Sequence, residues 1–162
     1  MDLTDVRIMV DTNVWVDNFY GARRGTTKSS KSLDLAAGRG AQLLYAATSA
    51  KDVFYLVAKQ LKNEARQRSG CITSQEAKAI EMVAAACLES MDNCATAVGI
   101  DSSDIWLARK YCKVHTDFED CLIMAAAKRA KADYVLTCDK DFLRRAIVPT
   151  LSPDDFITLM EA

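Results

Sequence analysis

Short apolar runs alternate along this chain with longer stretches in which apolar residues return every three or four positions. Val6 to Val10 is the first run, and it stops at Asp11-Thr12-Asn13. That pattern predicts a buried strand followed by a polar turn. Thr12 to Tyr20 predicts a short helix. Gly21 to Ser32 is rich in glycine, serine and threonine and reads as a loop. Ser32 to Gly38 predicts a helix stopped by Gly38, and Gln42 to Ala47 a second strand.

The remaining chain is dominated by helical periodicity. Ser49-x-x-Asp52 has the spacing of a capping box and opens a long helix carrying Val53, Leu56, Val57, Gln60 and Leu61. Thr73-x-x-Glu76 opens another, with Ala79, Ile80, Val83 and Cys87 on one stripe. Cys94 to Val98 predicts a weak third strand, and Asp104 to Cys112 a helix. Thr116-x-x-Glu119 is a third capping box. The helix behind it, Phe118 to Ala130, is apolar on nearly every side, which predicts burial. Tyr134 to Thr137 predicts a fourth strand ending in Cys138-Asp139-Lys140-Asp141, and Val148 begins a short fifth. Ser152-Pro153 is an N-cap followed by proline at the first helical position. Strands alternating with helices predict an α/β fold whose mostly parallel sheet is covered on both faces.

The 162 residues, half of them hydrophobic and 27% charged, fit one globular domain spanning 1–162. Two prolines and six glycines argue against a sandwich of many tight turns. Lys plus Arg is 21 and Asp plus Glu is 22, so a net charge of −1 gives no global attraction to nucleic acid or membrane. A local basic patch would still permit a nucleic-acid enzyme. No apolar run is long enough to span a bilayer. The segment MDLTDVRIMVDTN lacks a signal-peptide core, so a cytoplasmic location is expected. The six cysteines form no C-x-x-C pair, and in a reducing compartment they read as free, small buried hydrophobes. The single histidine, His115, reads as a surface or helix-end residue, which disfavours a histidine base.

Four aspartates fall at the ends of apolar elements. Asp11 follows the first strand and Asp139 the fourth. Asp52 and Asp120 lie in first turns of helices. In an open α/β sheet, function gathers at the carboxyl ends of the strands. Each acid singly has a plain role as turn or cap. Asp120 fits that role least, because a charge within Phe-Glu-Asp-Cys-Leu-Ile-Met is costly to bury unless paired or metal-bound. Several carboxylates on one edge would repel, and a hard divalent cation with oxygen ligands, Mg²⁺ or Mn²⁺, relieves that repulsion. Arg23, Arg24, Lys28 and Lys31 lie in a span without acids, which reads either as a phosphate clamp or as a solvated loop.

The segments VDTNVWVDN, TSAKDVFYLV, DFEDCLIMAAAKRAKADYVLTCDKDF and LSPDDFI, in this order and spacing, resemble the PIN domain family. The likeness is strongest to members resembling VapC toxins. The resemblance implies a three-layer α/β/α sandwich around a four- to five-stranded sheet. It implies a Mg²⁺- or Mn²⁺-dependent endoribonuclease, the toxin of a type II toxin–antitoxin pair, with RNA as substrate, an antitoxin as partner and a homodimer as the assembly. Asp11, Asp52, Asp120 and Asp139 match the family's catalytic acids, with Asp11, Asp120 and Asp139 as metal ligands. Asn13, Ser49 and Thr137 fall where small polar residues support the acids and substrate, with Arg23 and Arg24 nearby for phosphate. Asp52 stands where glutamate is usual, one methylene short, and Asp117 and Asp141 compete with Asp120 and Asp139 for their roles. The shorter Asp52 keeps a second reading open, a catalytically weak PIN scaffold that binds RNA or a partner protein.

Other strand-end aspartate families fit less well. Asp11-Thr12-Asn13 lacks the second acid of a D-x-D phosphohydrolase, and no G-x-G-x-x-G marks a dinucleotide site.

Overall fold

The computed structural model describes residues 2–21 and 27–162. In chain order the elements are β1 (Arg7–Val10), α1 (Thr12–Val16), a π-helical turn (Asp17–Gly21), α2 (Lys28–Gly38), β2 (Gln42–Ala46), α3 (Ala47–Ser69) and α4 (Ser74–Cys94). They continue with β3 (Thr96–Val98), α5 (Ser102–Tyr111), α6 (Phe118–Arg129), β4 (Tyr134–Leu136), α7 (Lys140–Arg145), β5 (Thr150–Leu151) and α8 (Pro153–Glu161).

The sheet is five-stranded and wholly parallel, in the order β3-β2-β1-β4-β5. Successive strand residues feed opposite cores, as the two-residue period requires. Ile8, Val10, Leu43, Tyr45 and Leu136 point into one layer, where α1, α2, α3, α4 and α8 pack. Met9, Leu44, Ala46 and Val135 point into the other, under α5, α6 and α7. α6 is buried along most of its length, from Cys121 to Ala127, and supplies the middle of the second layer. This is the parallel sheet covered on both faces that the alternation of elements predicts, and the three-layer α/β/α sandwich that the family resemblance implies. No helix among the described residues is long and apolar enough to cross a membrane.

Local capping chemistry explains most helix starts, and several differ from the sequence expectation. The Thr73–Glu76 box forms as expected. The Ser49 box does not, because α3 starts two residues earlier at Ala47. The Thr116 box does not form either. Asp117 is the N-cap of α6 and accepts from the backbone N–H groups of Glu119 and Asp120. Asp101 and Asp104 make an unforeseen capping box on α5, where Asp104 is also held by the Arg129 guanidinium. α2 begins four residues before the expected Ser32, capped by Thr27. Gly38 is its last residue, and the left-handed turn falls on Gly40 at φ 85°. α7 was not foreseen: Asp139 caps it through Asp141 and Phe142. On α4 the buried stripe is Ala84 and Met91, while Val83 is exposed.

All six cysteines are free. Only Cys121 is buried; Cys71, Cys94 and Cys138 are exposed, which corrects the expectation of buried thiols. A disulfide reagent added to the native chain is therefore expected to label Cys71, Cys94 and Cys138 early. Cys121 should react last, since burial pushes its thiol up to about 12. Counting labelled peptides by mass spectrometry over time checks this order, and early labelling of Cys121 would contradict the packing of α6.

Candidate active site: an acid cluster at the switch point of the sheet

The chain leaves β1 toward β2 and β3 on one side, while β4 and β5 lie on the other. The crevice outside the carboxyl ends of β1 and β4 is thus the topological switch point, where open α/β sheets bind ligands. The register Val10↔Leu136 sets Asp11 beside Thr137.

Asp11 is 3% exposed. It stands at the N-cap of α1, yet its side chain makes no capping bond. Its Oδ2 instead accepts from Thr137 Oγ1 at 2.6 Å and from Asn13 Nδ2 at 2.7 Å. Asn13 Oδ1 in turn accepts from the Cys138 backbone N–H at 2.9 Å. Thr137 Oγ1 accepts from the Asp139 N–H at 3.0 Å. Asn13 and Thr137 therefore tie the end of β1 to the end of β4 through the carboxylate of Asp11. Burial pushes Asp11 up to about 6 against these hydrogen bonds, and the charge of Asp139 adds to the rise.

Asp120 lies on the first turn of α6. Burial, then the charges of Asp11, Asp117, Asp139 and Glu119, raise it to about 7. Asp139 thus faces both Asp11 and Asp120 while its Oδ1 caps α7. Asp141 is turned outward toward Arg144, so Asp139 is the acid of that pair which faces the cluster. Of Asp117 and Asp120, the first is occupied with its cap and the second is half-buried against Asp11.

Asp52 projects from α3, past its first turn, with Lys51 Nζ 2.6 Å from its Oδ1. It also shares a hydrogen bond with Glu119, whose carboxyl is raised to about 6 by burial and then by Asp52, Asp11 and Asp117. Glu119 was missed in the sequence because it was assigned to the Thr116 capping box. The acid triplet in Asp117-Phe118-Glu119-Asp120 is the signal that could have found it. Ser49 is buried on α3, and its Oγ has no hydrogen-bond partner. Arg23 and Arg24 lie outside the described residues.

His115 is the largest correction. It follows the end of α5 but is 2% exposed. Its Nδ1 accepts from the Asp117 N–H at 3.2 Å, and its ring meets Phe142 edge-on. Nε2 lies 3.3 Å from Asp120 Oδ2, off the line of a hydrogen bond. The imidazole backs Asp120 from inside the fold. His115→Ala is thus expected to lower stability by about 2–3 kcal/mol through the cavity and the lost contacts. It is also expected to slow any Asp120-dependent reaction roughly tenfold. Thermal melts beside rate measurements taken well below the melting point separate the two, and an unchanged rate would restore the reading from sequence.

The cluster is a set of oxygen donors that repel one another, which is the chemistry a hard divalent cation relieves. Among the described residues, no three acid, cysteine or histidine side chains yet converge at metal-ligand distance. The donor set, oxygen atoms of carboxylates, fits Mg²⁺ or Mn²⁺ in kind.

Fold and site together define a parallel α/β/α protein with an acid cluster at its switch point. The chain belongs to the PIN domain family, whose sequence profile matches residues 7–141. No curated protein matches it in sequence. Among solved structures it is similar to VapBC2 from Rickettsia felis bound to a DNA fragment from their promoter, with TM-score 0.59 and 14% identity over 91% of this chain and 98% of that one. A toxin–antitoxin complex from Klebsiella pneumoniae matches with TM-score 0.56 and 17% identity, over 90% and 97% of the two chains. Mycobacterium tuberculosis VapC20, a sarcin–ricin loop cleaving toxin, matches with TM-score 0.59 and 16% identity, over 87% and 96%. At these identities the likeness is one of fold.

Proposed function

We propose that this chain is a Mg²⁺- or Mn²⁺-dependent endoribonuclease and the toxin of a toxin–antitoxin pair. The observation that carries the reading is the gathering of Asp11, Asp120 and Asp139 at the switch point, where the charge of Asp139 bears on both other acids and that of Asp11 bears on Asp120. The family match and the toxin structures that share the fold support it.

In this reading Asp11, Asp120 and Asp139 hold the cation. When bound, the metal supplies neutralisation of phosphate charge and a water of lowered pKa. Asn13 and Thr137 hold Asp11 in place and keep the β1 and β4 ends together. Glu119, its carboxyl raised to about 6 by burial and by Asp52 beside it, can accept a proton at the rim from water arriving at the site. Lys51 neutralises Asp52 on the solvent side. Ser49 lies buried one turn before Asp52 on α3, with its hydroxyl unpartnered. Hydrolysis by in-line attack of water would leave a 5′-phosphate and a 3′-hydroxyl. The expected partners are RNA and an antitoxin protein, with a homodimer as the assembly and the cytoplasm as the place of action.

The test is cleavage of single-stranded RNA by the purified chain with Mg²⁺ or Mn²⁺, against the same reaction in excess chelator. Equal cleavage in chelator refutes the metal. RNA or partner binding without cleavage favours the scaffold reading, which the metal-free spread of the acids and the Lys51–Asp52 pair keep in view.

A further inference from the structure

A cluster of five or six carboxylates repels the phosphates of the substrate proposed for it, so affinity must come from cations placed elsewhere. With a net charge of −1, the chain has no general excess to supply them. Two open clefts do. One, of about 270 Å³, is lined by Trp106, Arg109, Lys110 and Lys113. The other, also about 270 Å³, is lined by Tyr55, Ala58, Lys59, Lys62, Asn63 and Arg66. Each lining holds one aromatic ring and three cations, and neither includes a carboxylate.

Both rings are open to solvent, Trp106 at 58% and Tyr55 at 61%. Each is held by a lysine of its own helix: Lys110 Nζ lies 3.5 Å from the Trp106 ring centre and Lys59 Nζ 5.9 Å from that of Tyr55. Arg109, Lys110 and Lys113 form no ion pair among the described residues, and in the other cleft Lys62 has Glu81 at 3.9 Å. Asp101 and Asp104, at the far end of α5, are taken up by Arg129.

The clefts run away from the acid cluster along two helices that meet it. Tyr55 is three residues past Asp52 on α3, and the cleft continues to Arg66, about 16 Å along the axis. Lys113 stands four residues before Asp117, the N-cap of α6, and the second cleft extends back to Trp106, about 10 Å away. Exposed rings with interleaved cations are the chemistry of single-stranded nucleic acid: bases stack on the rings and phosphates meet the cations.

We propose that these two clefts grip the single-stranded RNA that flanks the scissile phosphate, so that the substrate is an unpaired segment several nucleotides long. This rests on the ribonuclease reading above.

The test uses the full chain in chelator with a fluorescein-labelled, mixed-sequence single-stranded RNA. Trp15 is buried at 1%, so quenching of tryptophan emission by RNA reports on Trp106. Quenching is expected in the wild type and in Tyr55→Ala, and its loss in Trp106→Phe. The triple change Arg109→Ala, Lys110→Ala, Lys113→Ala is expected to weaken binding at least about tenfold and lower the salt slope by about 2, at roughly 0.7 per phosphate contact. Lys59→Ala, Lys62→Ala, Arg66→Ala should act alike. Lys78→Ala with Lys128→Ala removes exposed cations outside both clefts and should leave the slope unchanged. If the wild type binds RNA and both triple variants bind it as tightly, or if the control pair loses as much, the clefts are overturned while the ribonuclease reading stands. If double-stranded RNA binds as tightly as single-stranded, the stacking role of the rings fails. If the wild type neither binds nor cuts RNA, the ribonuclease reading itself fails.

Discussion

Asp11→Asn and Asp120→Asn are each expected to reduce RNA cleavage on the order of 10³-fold, and the double variant little further. Each change keeps the side chain's size and removes one anionic ligand. The carboxylates act on the metal as a unit, so losing one forfeits most of what the set provides, and losses are not additive. Asp11 carries a second burden, because its Oδ2 is the acceptor that joins Asn13 and Thr137. Asn at this position must offer an amide oxygen to two donors, and melting curves should accompany the kinetics. Asp52→Asn should cost less, since Asp52 sits at the rim beside Glu119 and Lys51. Single-turnover cleavage at saturating enzyme is the measurement. A fully active Asp11→Asn would remove the metal mechanism, and a strictly multiplicative double variant would show that the acids act separately.

The second large effect concerns stability without metal. Asp120 is raised from its usual 3.8 to about 7, first by burial and then by its acidic neighbours. Between pH 4 and pH 7 the folded chain therefore retains a proton that the unfolded chain has released. The protein binds more protons folded than unfolded in that window, so this group's stability is lost as pH rises through it. Asp11 and Glu119, each at about 6, have the same sign. Asp120→Asn is expected to raise the melting temperature of the metal-free chain at pH 8 and to leave it nearly unchanged near pH 4. Discounted for the partial exposure of Asp120, whose side chain is 17% accessible, the gain is about 1–2 kcal/mol, or roughly 3–6 °C. Mn²⁺ should reverse the ranking by stabilising the wild type, by about 2.7 kcal/mol at a hundred times its dissociation constant. That gain should be larger at pH 8 than at pH 5, where protons compete for the same oxygens. Differential scanning fluorimetry across pH, with chelator and with Mn²⁺, reads both effects. A wild type that outlasts Asp120→Asn at pH 8 in chelator would mean that the acids do not repel as the geometry implies.

Much of this protein is written locally in its chain. Val6 to Val10 and Tyr134 to Thr137 are short, mainly apolar runs that read as buried strands, with an aspartate one residue after the first and two after the second. Thr73 and Glu76 spell their capping box, which depends only on atoms three residues apart. The burial of α6 follows from its apolar circumference. The placement of Asp11 and Asp139 on one edge follows once the sheet is parallel, because every strand then ends there; that β1 and β4 are neighbours is set by the strand order. Those readings needed only local bonding and periodicity.

The rest was decided by contacts between residues that local pattern cannot connect. Glu119 read as a cap for Thr116, but Asp117 holds the cap, and Glu119 instead meets Asp52, which a helix of the opposite layer brings to the same edge of the sheet. His115 read as a surface or helix-end residue, whereas the ring is buried between Phe142 and Asp120, supplied by two other helices. α7 gave no period to read, being six residues long, and exists because Asp139 caps it. The cysteines read as core by composition, yet which of the helical ones face inward depends on how α4 and α6 rotate onto the sheet. Strand ends, caps and apolar periods are properties of a few adjacent residues. The company that each acid keeps, and so its proton affinity, is set by the packing of whole helices and exists only in the folded chain.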